Sequence, residues 1–214
     1  MNLISRSCLD GFMCKYILSK PNNNPFIWNI ILLDSYKNLI ENYDSINFRN
    51  IEVFDNLENL KLYIDDNCIE LLEDYNSCYD DAGTTVYKGK EMYYMIIDNC
   101  ILMYSIHFHY DEMKNKEYCE DCKNEIECFK RVYLHNLEKM NETPIFFYNI
   151  THSDKIITYN TKYTVIYYST DDNLKRDDVK YFVNIKPNKS NKTHRDMLDE
   201  PRQLVEYMKS NNVI

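Results

Sequence analysis

Glycine is nearly missing from this sequence, with three residues in 214. A glycine-rich phosphate loop needs several glycines close together so that backbone N–H groups can close on the anion, and no such loop can be written here. Long apolar runs are missing too. None approaches the ~20 residues that a membrane-spanning helix requires. The start of the chain shows no apolar core behind a basic stretch, so neither a membrane span nor a secretory leader is expected. Positive charge is in deficit: 25 Lys and Arg stand against 34 Asp and Glu, for a formal net charge of −9. Proteins that bind a phosphate backbone gather cations into a patch, so nucleic acid is not an expected partner.

What is present reads as a globular chain. The residues are 44% hydrophobic and 28% charged, enough to bury a core without staples, and a single domain over 1–214 is expected. Asn, Ile, Lys, Tyr and Asp are abundant, as an AT-rich bacterial or viral genome would write them, so the asparagines carry little meaning by number alone. Eight cysteines in a chain with no visible leader point to reduced thiols in the cytoplasm rather than a disulfide framework. Asn149-Ile150-Thr151 and Asn191-Lys192-Thr193 then have no role as glycosylation sites.

Periodicity supplies the elements. "LDGFMCKYILSK" (9–20) places Leu9, Phe12, Met13, Tyr16 and Ile17 at helical spacing, ended by Pro21. "PFIWNIILL" is a short buried strand or an apolar turn, and Asp34 is the expected N-cap of a second helix. "NIEVF" reads as a strand and "DNLENLKLYIDD" as a third helix, while the polar stretch 73–90 reads as a loop. "KEMYYMII" and "CILMYSIHFHY" flank Asp98-Asn99, a pair that tolerates positive φ, and together they predict a β-hairpin. Residues 115–142 read as one long charged helix, followed by the strand-like runs "PIFFYNIT", "KYTVIYYS" and "VKYFVNI". A last helix fits "EPRQLVEYMKS", with Asp199 as cap and Pro201 in its first turn. Helices come first and strands second, which predicts an α+β arrangement.

Several residues could carry chemistry. On the second hairpin strand a period of two puts Met103, Ser105, His107, His109 and Asp111 on one face, with the two histidines roughly 7 Å apart. Such a face offers a general base or a wet polar surface. Cys8 precedes the first helix, where the dipole and the unpaired N–H groups of the first turn favour thiolate and could hold an oxyanion; a buried small hydrophobe is the plain alternative. Cys14 falls in the core of that helix. "CEDCKNEIEC" supplies Cys119, Cys122 and Cys128, but a structural zinc site takes four ligands and the fourth would have to come from His107, His109 or His135, so no metal is expected. "YDDAG" with Glu73 and Asp74 lacks the alternating oxygen ligands of a calcium loop and reads as solvated surface.

"ISRSCLDGFMCKYILSKPNNNPFIWNIILLDSYKNLI", the later "SIHFHYDE" and then "PIFFYN" resemble the bacterial and viral domains described as papain-like cysteine peptidases, and a related family found beside exopolysaccharide-biosynthesis genes. The resemblance covers roughly 1–155, leaving 156–214 to complete the sheet and add a C-terminal helix. It implies a papain-like α+β fold: a helix-rich N-terminal half, with a cysteine at a helix N-terminus, packed on a mainly antiparallel sheet from the C-terminal half. It implies Cys8 as nucleophile, His109 as base with His107 as the alternative, and Asn149 or else Asp111 as the group that orients the imidazole. The expected chemistry is acyl transfer without a cofactor, on a small-molecule, glycan or peptide acyl substrate. Water as acceptor makes a hydrolase; a sugar hydroxyl or amine makes an acyltransferase of polysaccharide metabolism. The competing expectation is a non-catalytic binding or structural protein that keeps the fold.

Overall fold

A computed structural model describes residues 2–7, 9–19, 24–26, 29–83, 92–105, 108, 110–140, 142–150, 158–171, 174, 178–186 and 199–214. In chain order the elements are β1 (Asn2–Ser5), α1 (Leu9–Phe12) running into a π-helical stretch Met13–Leu18, β2 (Asn29–Ile31), α2 (Leu33–Asn42), β3 (Ile51–Phe54), α3 (Leu57–Asn67), α4 (Leu72–Gly83), β4 (Tyr93–Ile97) and β5 (Ile101–Ser105). Then come α5 (Tyr110–Lys114), α6 (Glu125–Glu138), β6 (Pro144–Asn149), β7 (Thr164–Ser169), β8 (Phe182–Asn184) and α7 (Asp199–Ser210). Short 3-10 turns lie at Tyr43–Ser45, Ile69–Leu71 and Glu117–Cys119. The fold mixes α and β, and the chain forms two compact units: Met1–Asn22 with Glu142–Ile214, and Asn23–Asn141.

The second unit is built on an antiparallel sheet in the order β2-β5-β4-β3. The expected hairpin is there: Asp98 and Asn99 take φ of 50° and 55°, and Cys100 N donates to Ile97 O at 3.1 Å. Ile97 pairs with Ile101, so three residues lie between paired positions rather than two. One face carries Tyr94, Ile96, Leu102 and Tyr104 into a core with Leu60, Ile64 and Leu71. The other carries Tyr93, whose ring meets Phe129 of α6 at 5.6 Å and Phe108 at 5.1 Å. Every residue of β4 and β5 is therefore buried, and Met103 and Ser105, on the face for which a wet polar surface is one reading, are covered. Strand β5 ends at Ser105 and Asp111 lies in the first turn of α5, so Asp111 shares no strand face with Met103 and Ser105.

Three further sequence expectations change. Asp34 does not cap α2; it is exposed, in the first turn, and pairs with Lys37 at 2.8 Å. Leu32 holds the cap position and makes no side-chain bond there. The cap comes instead from Asp74, forty residues away and buried, which accepts from Asp34 N at 3.1 Å and Ser35 N at 2.7 Å. The Ser35 hydroxyl also donates to Asp74, and its oxygen accepts from Leu102 N of β5 at 2.7 Å. Asp74 belongs to α4, which occupies most of the stretch read as a loop; residues 84–90 of that stretch lie outside the described residues. The long helix expected over 115–142 is instead a 3-10 turn, Glu117–Cys119, followed by α6, with α5 a separate short helix before it. Asn124 ends the gap by capping α6, accepting from Glu127 N at 2.8 Å.

The first unit is a parallel sheet in the order β1-β6-β7-β8, not the antiparallel sheet expected of the C-terminal strands. Parallel strands are covered on both faces and read as near-continuous apolar runs, which is how Phe146, Phe147 and Tyr148 of β6 and Val165 to Tyr168 of β7 are all buried. Leu9, Met13 and Cys14 join Leu204, Val205 and Met208 of α7 in a core against Leu3, Phe147, Ile166 and Tyr168. Helix α7 stands where expected, with Asp199 as its first residue.

Asp74→Ala is expected to destabilise the protein by about 3 kcal/mol, because each buried donor left without an acceptor costs about 1–3 kcal/mol. The readout is the urea midpoint. Burial pushes the Asp74 pKa up against the opposing pull of its bonds to Ser35 and Asp34. Folding therefore takes up a proton: the contribution is full below the ordinary Asp pKa of about 3.9 and is lost as pH rises through the raised value. The stability of the wild type relative to Asp74→Asn should fall across that window and level off above it.

Candidate functional site

In a parallel sheet the loops leaving the carboxyl ends of the strands are the usual place for a site, since helix N-termini and chain crossovers converge there. Cys8 lies outside the described residues, but in the sequence it stands between β1 and α1. Ser5 is buried, Arg6 and Ser7 are exposed, and Leu9 and Asp10 are buried again. Ser5 Oγ lies 3.0 Å from Asp10 Oδ1 and accepts from Asp10 N at 3.2 Å, while Gly11 N donates to Asp10 Oδ1 at 2.9 Å. Two first-turn N–H groups, which the sequence offers to an oxyanion, are thus already taken by Ser5 and by the Asp10 carboxyl group. The positive end of the helix is correspondingly less available to a thiolate.

Asn149 is the last residue of β6 and is exposed. Strand β6 pairs with β1 in parallel, with Ser5 opposite Phe147, so Asn149 finishes its strand at the same edge from which the chain leaves β1 toward Cys8. Ser169 closes β7 at that edge, fully buried, and its Oγ accepts from Asp171 N at 3.2 Å. Asn184 closes β8; its Nδ2 donates to Leu174 O at 3.0 Å, and its buried Oδ1 has no hydrogen-bond partner among the described residues. Glu200, in the first turn of α7, bonds Tyr168 of β7, and burial pushes its pKa up against that bond. Periodicity could not single out Ser5, Asp10 or Glu200, because their roles depend on which strand ends lie together; the Ser-x-x-x-x-Asp spacing across a strand-to-helix turn was the only local hint.

His107 and His109 lie outside the described residues. Phe108 and Tyr110, on either side of His109 in the chain, both pack against the thiols of Cys119, Cys122 and Cys128. A cavity of about 210 Å³ sits beside this segment, lined in part by Ser105, Phe108, Tyr118 and Tyr133. Tyr133 is buried, its hydroxyl has no partner among the described residues, and desolvation pushes its pKa up. Asp111 is exposed on α5. His135, the one histidine among the described residues, stacks on Tyr118 with ring centroids 3.7 Å apart, and burial followed by Lys139 pushes its pKa down.

A scan of family models and a search of curated proteins found no match to this chain. The likeness to papain-like peptidases rests on the residues quoted above.

The described cysteines set a background for reactivity. Burial holds Cys68 up to about 11 and raises Cys100, Cys119 and Cys128 as well. Two pH units are about a hundredfold less thiolate. In the folded protein near neutral pH, peptides carrying Cys14, Cys68 and Cys100 should therefore stay unmodified by iodoacetamide while free cysteine reacts to completion, read by mass spectrometry. Rapid labelling of Cys68 would contradict its burial.

Proposed function

We propose that the chain is a cysteine-nucleophile acyl-transfer enzyme of papain-like logic, with Cys8 as nucleophile. One observation carries the reading: the chain takes Cys8 out of the carboxyl edge of a parallel sheet, directly before α1, and the neighbouring strand ends at that edge on Asn149, the residue proposed to orient a base.

Cys8 Sγ, as thiolate, forms a bond to the substrate carbonyl carbon and the π electrons move to oxygen. Collapse of that intermediate breaks the bond to the leaving group, which takes a proton from the imidazolium. Water then gives a hydrolase; a sugar hydroxyl or amine gives an acyltransferase. Because Ser5 and Asp10 occupy two first-turn donors, activation falls mainly to the base. His109 is the proposed base, with His107 as the alternative; His152, three residues past β6 in the sequence, is a third. Asn149 is the first orienting group and Asp111 the second.

The non-catalytic alternative also has an observation in its favour, since the buried Asp10 carboxyl group opposes a nearby thiolate. Iodoacetamide kinetics separate the two. A catalytic Cys8 labels at a rate that stays high below pH 7 and drops at least tenfold in His109→Ala, His107→Ala or His152→Ala, whichever histidine is the base. A rate equal to that of an ordinary thiol, unchanged in all three variants, overturns the enzymatic reading.

A further inference from the structure

Between Tyr110 and Asn124 the only buried residues are Cys119 and Cys122. The other thirteen are charged, polar or half-exposed, and α5 has no buried residue at all. Hydrophobic burial scales with apolar area, and this stretch adds to its two buried thiols only the partly buried Tyr110, Met113 and Tyr118. Yet its thiols converge. The Sγ atoms of Cys119, Cys122 and Cys128 all lie within 4.8 Å of one another.

Three thiolates on one tetrahedral zinc, at Zn–S distances of about 2.3 Å, stand about 3.8 Å apart. The observed cluster is within a small inward movement of that geometry. Its construction also suits a metal. Cys119 closes a 3-10 turn, Cys122 N donates back to Cys119 O at 3.0 Å, and Cys128 projects from the first turn of α6, whose N-terminus Asn124 caps. A Cys-x-x-Cys turn facing a helical cysteine presents sulfur from two directions. Arg131 ties the parts together: it pairs with Asp121 of the turn and with Glu127 of α6 at 2.9 Å, and reaches Tyr118 O at 3.5 Å. Its positive charge also offsets the net negative charge of a three-thiolate zinc. Phe108, Tyr110, Met113, Tyr118 and Val132 supply an apolar cover.

We propose that Cys119, Cys122 and Cys128 bind one zinc ion as three thiolates, and that this ion fastens residues 110–124 to α6. Binding releases the protons of whichever thiols were neutral, and water fills the fourth position. His135 is engaged elsewhere, in its stack on Tyr118. The site is independent of Cys8, and its role is structural.

The test uses the full chain, purified reduced with zinc present and then dialysed. Elemental analysis should find about one zinc per chain, retained in Cys8→Ala and Cys14→Ser and lost in Cys119→Ser and Cys128→Ser. Because the serine variants could fail to fold, the wild type carries a second measurement. Cobalt added to the metal-stripped protein should give thiolate-to-cobalt charge-transfer absorption with a tetrahedral visible spectrum, displaced by zinc, and zinc should slow alkylation of all three cysteines at least tenfold. A protein that retains no zinc, an octahedral cobalt spectrum without charge transfer, or a native Cys119–Cys122 disulfide would each overturn the proposal.

Discussion

A buried carboxyl group holds the 23–141 unit in register. Asp74 takes the two leading N–H groups of α2 and the Ser35 hydroxyl, and Ser35 in turn accepts from the backbone of β5. Leu32 N to Leu102 O at 3.1 Å completes the junction. Two helices and a central strand meet at one polar node in an otherwise apolar environment, where each unpaired group would lose its water without replacement. The node fixes where β5 starts. It therefore also fixes where β5 ends, which is the point at which the chain turns toward His107, His109 and the thiol cluster.

That node explains what the sequence revealed and what it did not. The hairpin was legible because Asp98 and Asn99 are among the few residue types that accept positive φ, and apolar runs flank them. Helices α3 and α7 were legible from their periodicity, although Asn56 rather than an aspartate caps α3 and Asp199 is the first residue of α7 rather than its cap. Helix α4 was not, because "EDYNSCYDDAG" is rich in turn formers; it is helical through tertiary contacts, with Leu71 and Tyr75 in the core and Asp74 capping another helix. Strand β1 is four residues long and precedes the first amphipathic pattern, so Leu3 and Ile4 read as little more than a polar start with two apolar residues. Parallel pairing was hidden for a different reason: a run of five apolar residues shows that both faces are covered, and not which way its neighbour runs.

The thiols divide into groups with different chemistry. Cys14 and Cys68 are core residues, and burial keeps the Cys68 thiol protonated. Cys119, Cys122 and Cys128 form a buried sulfur cluster where an otherwise mostly exposed polar stretch meets α6. Cys8 stands apart by its place in the chain, after a buried strand and two exposed residues; that strand ends at the same edge of the parallel sheet as Asn149, Ser169 and Asn184. The helix that follows does less to activate it than the sequence alone suggests, because Asp10 already answers the first-turn donors. A nucleophile at this position depends on a base, and the proposed enzyme rests on that dependence.

Reaction of the intact protein with p-nitrophenyl acetate tests the proposed chemistry most directly. An acyl-transfer enzyme acting through Cys8 releases a burst of about one p-nitrophenolate per chain, carries a single acetyl group on the Cys8 peptide, and then turns over as the thioester is hydrolysed. A steady release with no burst, acetyl groups on lysines alone, or an unchanged burst in Cys8→Ala would contradict it.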